Sequence, residues 1–255
     1  MPSCFAHYRF GEQLLPMLPA DIHFPVQRHR HLFDLGLQGP DFFFYYKLGK
    51  NTPVRQLARE YHHRTGGQVF SKICRDLGHP QDAELAYLYG LLAHYCLDAV
   101  CHPIVSRVTG EDSLAHNAME SEFERFLLER SGVTKPHTHN RGSSIRCGGK
   151  DAAVIGRFYP EAKPEQIRSA INTMGTVLGL LTIHAGAKRV LALMGDPNPG
   201  LLMHKVPDPV YSGYNEELLD GCNRAMRLYP QLLQQLRSHM AFGEPLGKDF
   251  DPIFG

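Results

Sequence analysis

The residues best suited to chemistry lie in one stretch, Ala93-His94-Tyr95-Cys96-Leu97-Asp98-Ala99-Val100-Cys101-His102-Pro103. His94, Asp98 and His102 follow one another at four-residue steps. On an α-helix each such step turns the side-chain direction by about 40° and climbs about 6 Å, so adjacent members project from one face. Two of these side chains can grip one cation, and three in a row can serve two, with Asp98 between them. His116 and Glu120 repeat the step, and with His102 they would make a three-ligand zinc site with a position left for water. Two further pieces contribute: the imidazole pair in Tyr61-His62-His63-Arg64, and the turn Gln38-Gly39-Pro40-Asp41, which delivers a carboxylate. Phosphodiester hydrolysis needs such a set. Metal ions neutralise the phosphoryl oxygens and acidify a bound water, and a nearby carboxylate takes a proton.

Each piece also has an ordinary structural reading. A single histidine on a helix is usually a surface or satisfied core residue, and His23, His29, His31, His79, His137, His139, His184, His204 and His239 are read that way. Asp41 alone could be a turn residue after Pro40. The run Phe42 to Tyr46 suits core packing, and His63 reads as a bystander to His62. The central segment resists such a reading. Leu91, Leu92, Leu97 and Val100 flank its three ligating groups, and burying those groups without a partner is costly, so a cation is the natural compensation.

The elements that must position these residues are helical. Leu85, Leu88, Leu91, Leu92 and Cys96 fall at three- and four-residue spacings and predict one apolar helix face over 83–101, starting after Pro80. Pro103 disfavours α conformation at His102, so this helix is expected to end there and free His102 to swing toward a neighbouring site. A second helix is predicted over 113–130 and a third over 54–77, broken near Gly66-Gly67. Later helical stretches cover 167–194 and 215–240, with Pro230 inside the last. Phe42 to Tyr46 could form a strand by residue type, but nothing pairs with it convincingly. Residues 136–150 and 194–214 read as loops.

The 255 residues are expected to form a single domain. Its metal-binding motifs lie in 1–135, followed by the 136–150 loop and a C-terminal helical part over 151–255. The formal net charge of +1 offers no field for nucleic acid or an anionic membrane surface. No run approaches the roughly 18 uninterrupted apolar residues of a membrane span, and the start of the chain lacks the pattern of a secretory signal. The six cysteines include no CxxC pair and read as reduced thiols, which makes the expected location cytoplasmic.

The pattern resembles the zinc-dependent phospholipase C family, whose relatives include secreted bacterial phospholipases C and the N-terminal domain of glycosylphosphatidylinositol-specific phospholipase D. The resemblance rests on five stretches in the family's order. They are Ala6-His7-Tyr8-Arg9-Phe10-Gly11, Gln38-Gly39-Pro40-Asp41-Phe42-Phe43, His62-His63-Arg64-Thr65, Gly90 to Pro103, and Ala115-His116 through Phe123-Glu124-Arg125. Together they span about the first 130 residues. The resemblance implies an all-α, compact multi-helix domain with up to three zinc ions in a cleft between helices. It also implies that His62, His94 and Asp98 hold one zinc, that His102, His116 and Glu120 hold a second, and that His7 with a bridging Asp98 belongs to a third. Asp41 takes the place of the general base. One departure bears on the third site. The secreted enzymes complete it with a mature N-terminal tryptophan, and this chain has no Trp, so two or three metals are expected.

The implied reaction is cleavage of a phospholipid by metal-activated water, with transient membrane-surface contact and no transmembrane segment. A zinc-dependent nuclease on the same scaffold is the alternative among enzymes, though the neutral charge speaks against nucleic acid. A non-catalytic protein with structural zinc is the alternative outside them. It would prevail if the cysteines rather than His116 and Glu120 held the metal.

Overall fold

The computed structural model describes residues 4–182 and 199–254. Among these residues ten α-helices form and no strand does; Thr65 and Ile253 make one isolated antiparallel bridge. The all-α expectation holds. In chain order the helices are α1 (Cys4–Leu14), α2 (Ala20–Arg28), α3 (Arg30–Gly36), α4 (Pro53–His62), α5 (Gly66–Leu77), α6 (Asp82–Thr109), α7 (Ser113–Arg130), α8 (Gly149–Gly156), α9 (Pro164–Leu180) and α10 (Asn215–Phe242).

The axis of the molecule is α6, packed by α1, α2, α3, α7, α8 and α10. The predicted single apolar face understates its burial. Every residue from Ala86 to Asp98 is buried, while Leu85, counted on that face, is only partly so. A helix enclosed on all sides has no need of a polar face. By length and composition α6 could cross a membrane, but 83% of its most apolar window is buried inside the protein. Its close contact with α3 depends on two glycines: a Cβ on Gly90 would collide with the Phe33 carbonyl, and one on Gly36 with the Tyr87 carbonyl.

The predicted stop at Pro103 is wrong, for α6 continues to Thr109. Pro103 is exposed. On that face the Ala99 carbonyl, which the proline leaves without its N–H partner, can tilt toward water, so the helix tolerates the ring. His102 therefore stays on the same helix as His94 and Asp98.

Local signals set the other boundaries. The break between α4 and α5 is fixed by Thr65, whose Oγ1 accepts from Gln68 N (3.2 Å) while Gln68 Oε1 accepts from Thr65 N (3.1 Å). Asp112 caps α7 by accepting from the backbone N–H groups of Leu114 (2.8 Å) and Ala115 (3.2 Å). The segment that could have been a strand is a 3-10 helix, Asp41–Tyr45, with Phe42, Phe43 and Tyr45 buried. Its side chains pack into an aromatic cluster with Tyr159 and leave no edge to pair.

The later part of the chain closes onto the first. α10 lies along α6, and Tyr95 of α6 donates to the Asp249 carbonyl (3.0 Å). Phe254 packs against Tyr95 and against the ring of His94 (5.8 Å between centroids). The loop before α8 carries the buried Arg141, which donates to Glu124 Oε2 (2.6 Å). The predicted stretch over 167–194 is helical through Leu180, and its residues 183–194 and His184 lie outside the described residues.

Candidate metal centre

Five elements bring the ligating groups together. α1 supplies His7, the 3-10 helix supplies Asp41, and α4 supplies His62. α6 supplies His94, Asp98 and His102 on one stripe, and α7 supplies His116 and Glu120. All but His116 are buried, with His94 inaccessible to solvent. The neighbouring His63 is exposed, so the choice of His62 over His63 agrees with burial. α1 is anchored at its first turn, where Phe5 N donates to Glu124 Oε1 (2.6 Å).

Three triads have ligand atoms within 4.8 Å of one another: His7, His94 and Asp98; Asp41, His62 and His94; and His102, His116 and Glu120. The third is the set that was expected. The others share His94 and divide the expected set of His62, His94 and Asp98, because His62 faces Asp41 (Nε2 to Oδ1 3.0 Å). Asp98 is the hub of the centre. Its Oδ1 lies 3.1 Å from His7 Nε2 and 3.6 Å from His102 Nε2, and its Oδ2 lies 3.2 Å from His94 Nε2. Glu120 Oε1 is 3.4 Å from His102 Nε2 and 3.2 Å from His116 Nε2.

Hydrogen bonding decides how these rings present themselves. His62 Nδ1 donates to the Ala58 carbonyl (2.5 Å), and His94 Nδ1 donates to the Leu37 carbonyl (3.2 Å). With the proton on Nδ1, each Nε2 carries a lone pair, and neither Nε2 makes a hydrogen bond. Lone pairs aimed at carboxylate oxygens about 3 Å away repel unless a cation lies between them. Backbone carbonyls holding the outer nitrogen are the usual support for a metal-ligating imidazole. Asp98 Oδ2, Glu120 Oε2 and both ring nitrogens of His102 are likewise buried without a hydrogen-bond partner. Orphaned groups of this kind are costly, and their convergence fits a metal cluster. The donor set of imidazole and carboxylate suits zinc.

The protonation states agree. Burial drives His94 down to about 3, against the pull of Asp98, so its ring is neutral. Burial would raise the Asp98 carboxyl, but His102, His94 and His7 outweigh it and hold it well below the usual range. Glu120 is held low in the same way by His116 and His102. His116 differs: burial would lower it, yet Glu120 beside it raises it above its ordinary value. Metal must displace that proton, so affinity at this triad is full above the raised value and falls as pH drops through it. Chelator titration between pH 8 and pH 5.5 should therefore release the metal of His102, His116 and Glu120 first, with release shifted in His116→Ala. An equal pH response from all sites would contradict this.

The cavity between His7, Asp98, His102 and Glu120 is small, about 20 Å³, enough for a water. A larger cavity of about 540 Å³ lies elsewhere, between the end of α1 and α10, lined by Leu14, Met17, Tyr229, Leu233 and Phe242. None of the triad residues reaches it, so it has no share in the metal chemistry.

The family model for zinc dependent phospholipase C matches residues 6–172. The chain belongs to the zinc-dependent phospholipase C family. The match contains every candidate ligand and Asp41, and it runs on through the 136–148 loop and α8 into α9, beyond the five stretches in which the resemblance was legible. No curated protein and no solved structure matches the chain. At the level of the family this is a phosphoester hydrolase with a zinc-dependent site.

Sequence reading missed the supports of this centre: the Leu37 and Ala58 carbonyls, the Glu124 anchor of α1, Phe254 against His94, and Gly39. Two of these left a signal, Glu124 as part of the last of the five stretches and Gly39 as the glycine of the turn before Asp41. The φ of Gly39 is +51°, and a Cβ there would overlap the His94 ring. Gly39→Ala is thus expected to cost about 1–3 kcal/mol in backbone strain and also to push His94 off its position. Thermal melting and chelator competition should both report the loss, and unchanged zinc retention would mean that His94 is not a ligand.

Proposed function

We propose that this chain cleaves a phospholipid in the manner of a phospholipase C, releasing a diacylglycerol-type product and a phosphorylated alcohol. The observation that carries the reading is the pair of Nε2 lone pairs, on His62 and His94, that face carboxylates with no hydrogen bond to make. In this reading His94 and Asp98 bind metal together with His7 and His62, and His102, His116 and Glu120 form a second pocket, for two or three zinc ions in all. Bound there, zinc would polarise the phosphoryl oxygens and lower the pKa of a bound water to around 7. The protein's own residues do the rest. The Leu37 and Ala58 carbonyls hold two imidazoles in the ligating tautomer. Asp98 fixes the spacing between the pockets. Asp41, buried in the triad with His62 and His94, accepts the proton of the attacking water. The walls supplied by Phe254 and Tyr95 keep bulk water from that side. We place the protein in the cytoplasm, a reading supported by six unlinked cysteines.

The test pairs metal content with product. Protein purified without a chelating tag should carry two or three zinc ions per chain by elemental analysis. It should release diacylglycerol and a phosphorylated alcohol from phosphatidylcholine vesicles, lose this activity to chelator and recover it with zinc. Cleavage of single-stranded oligonucleotides with none of the vesicles would replace the phospholipase reading with a nuclease. Folded protein holding one zinc or none would exclude the clustered site.

A further inference from the structure

Two thiols in the wall of the metal cavity have no role in the chemistry above. Cys101 follows Val100 on α6, and Cys222 lies on α10, which packs along α6. The two thiols are near enough to act on each other, Cys222 pushing Cys101 up and Cys101 drawing Cys222 down. The approach of the two helices here is close, for a Cβ on the neighbouring Gly221 would stand 3.1 Å from Cys101 Sγ. Both thiols are buried, and both line the small cavity shared with His7, Asp98, His102 and Glu120. Cys96, one turn back on α6, is engaged differently and donates to the Ala225 carbonyl (3.3 Å).

A pair of thiols beside a metal centre invites two readings, ligand or redox partner. Among the described residues no metal-binding triad includes either thiol. The pair thus lacks the third ligand a cation site requires, but it has the setting of a disulfide, two thiols on one small cavity at a close approach of two packed helices. The cavity admits a water-sized molecule, and hydrogen peroxide is little larger.

We infer that Cys101 and Cys222 form a reversible disulfide that pins α10 to α6 directly behind the metal centre, with hydrogen peroxide as the oxidant. One sulfur, as thiolate, attacks a peroxide oxygen and breaks the O–O bond, giving a sulfenic acid while the hydroxide released takes up the thiol proton as water. The second sulfur then attacks the sulfenic sulfur, the S–S bond forms, and the displaced hydroxide leaves as a second water with the second thiol proton. Two thiols lose two electrons, and the two peroxide oxygens gain them. A dithiol such as dithiothreitol reverses the step by exchange. The inference is independent of whether the natural substrate is a lipid.

The test uses the full zinc-loaded chain, treated with peroxide, alkylated after unfolding and cleaved on the N-terminal side of aspartate. That cleavage separates Cys101 from Cys96, because Asp98 lies between them. The expected result is a cross-linked peptide pair containing Cys101 and Cys222, with Cys4, Cys96 and Cys147 still open to alkylation. Zinc content should stay unchanged, since neither thiol is a ligand. The melting temperature should rise by about 5 °C or more, because the bridge closes a long loop, and dithiothreitol should return it. Cys222→Ser should fold normally and show neither the cross-link nor the gain in melting temperature. Free Cys101 and Cys222 after treatment, separate oxidation of the two, or zinc released in step with oxidation would each overturn the inference.

Discussion

Asp98→Ala is expected to strip the centre of at least one zinc ion and to abolish hydrolysis. Among the described residues, Asp98 alone touches three imidazoles, those of His7, His94 and His102, at 3.1, 3.2 and 3.6 Å. Its carboxylate is held ionised by those neighbours despite full burial, so the mutation deletes the one negative charge that all three share. Removing a group that merely supports a ligand costs about 10–100-fold in metal affinity. A carboxylate in direct contact with three ligating rings should cost more. Elemental analysis and a chelator titration read the loss directly. Zinc content equal to wild type would mean that Asp98 is a hydrogen-bond hub and that the metals, if present, lie elsewhere.

Asp41→Asn separates two roles that the geometry allows. Asp41 belongs to a triad with His62 and His94, and it is also the candidate proton acceptor. Acting as general base, it contributes about 10²–10⁴-fold to turnover. The amide, nearly the same size, should then remove that factor while zinc content stays at the wild-type value. The lost factor should appear in kcat more than in KM, because the proton moves in the transition state and not on binding. Loss of zinc together with activity would reassign Asp41 as a ligand of the first metal. Full activity would remove it from the mechanism.

The further pair of observations on His116 and Gly39 reaches the same centre from outside the hub. Glu120 raises the proton affinity of His116, and metal must compete with that proton, which ties occupancy of its triad to pH. Gly39 leaves room for a ring from the opposite side of the cleft. The first follows from the four-residue step to Glu120, and only the second is a consequence of packing that no spacing rule contains.

The sequence by itself determined what depends on local geometry. The four-residue steps from His94 to His102 and from His116 to Glu120 survive in the structure because both pairs sit on continuous helices, α6 and α7, where rise and rotation per residue are constant. The bounds of α7 and the break before Gly66 were also legible, since Asp112 and Thr65 cap their own helices. Tertiary structure decided the rest. Whether α6 shows one apolar face or is enclosed all round depends on how many helices surround it, and a helix's own periodicity does not record its neighbours. Pro103 was misread because its cost depends on whether the Ala99 carbonyl it frees can reach water. His7 and His62 acquired their partners, Asp98 and Asp41, through contacts between elements far apart in the chain. Leu37 reached His94, and Cys222 reached Cys101, in the same way. Such contacts are set by side-chain volume and helix crossing in three dimensions, and they leave no period in the sequence from which they could be read.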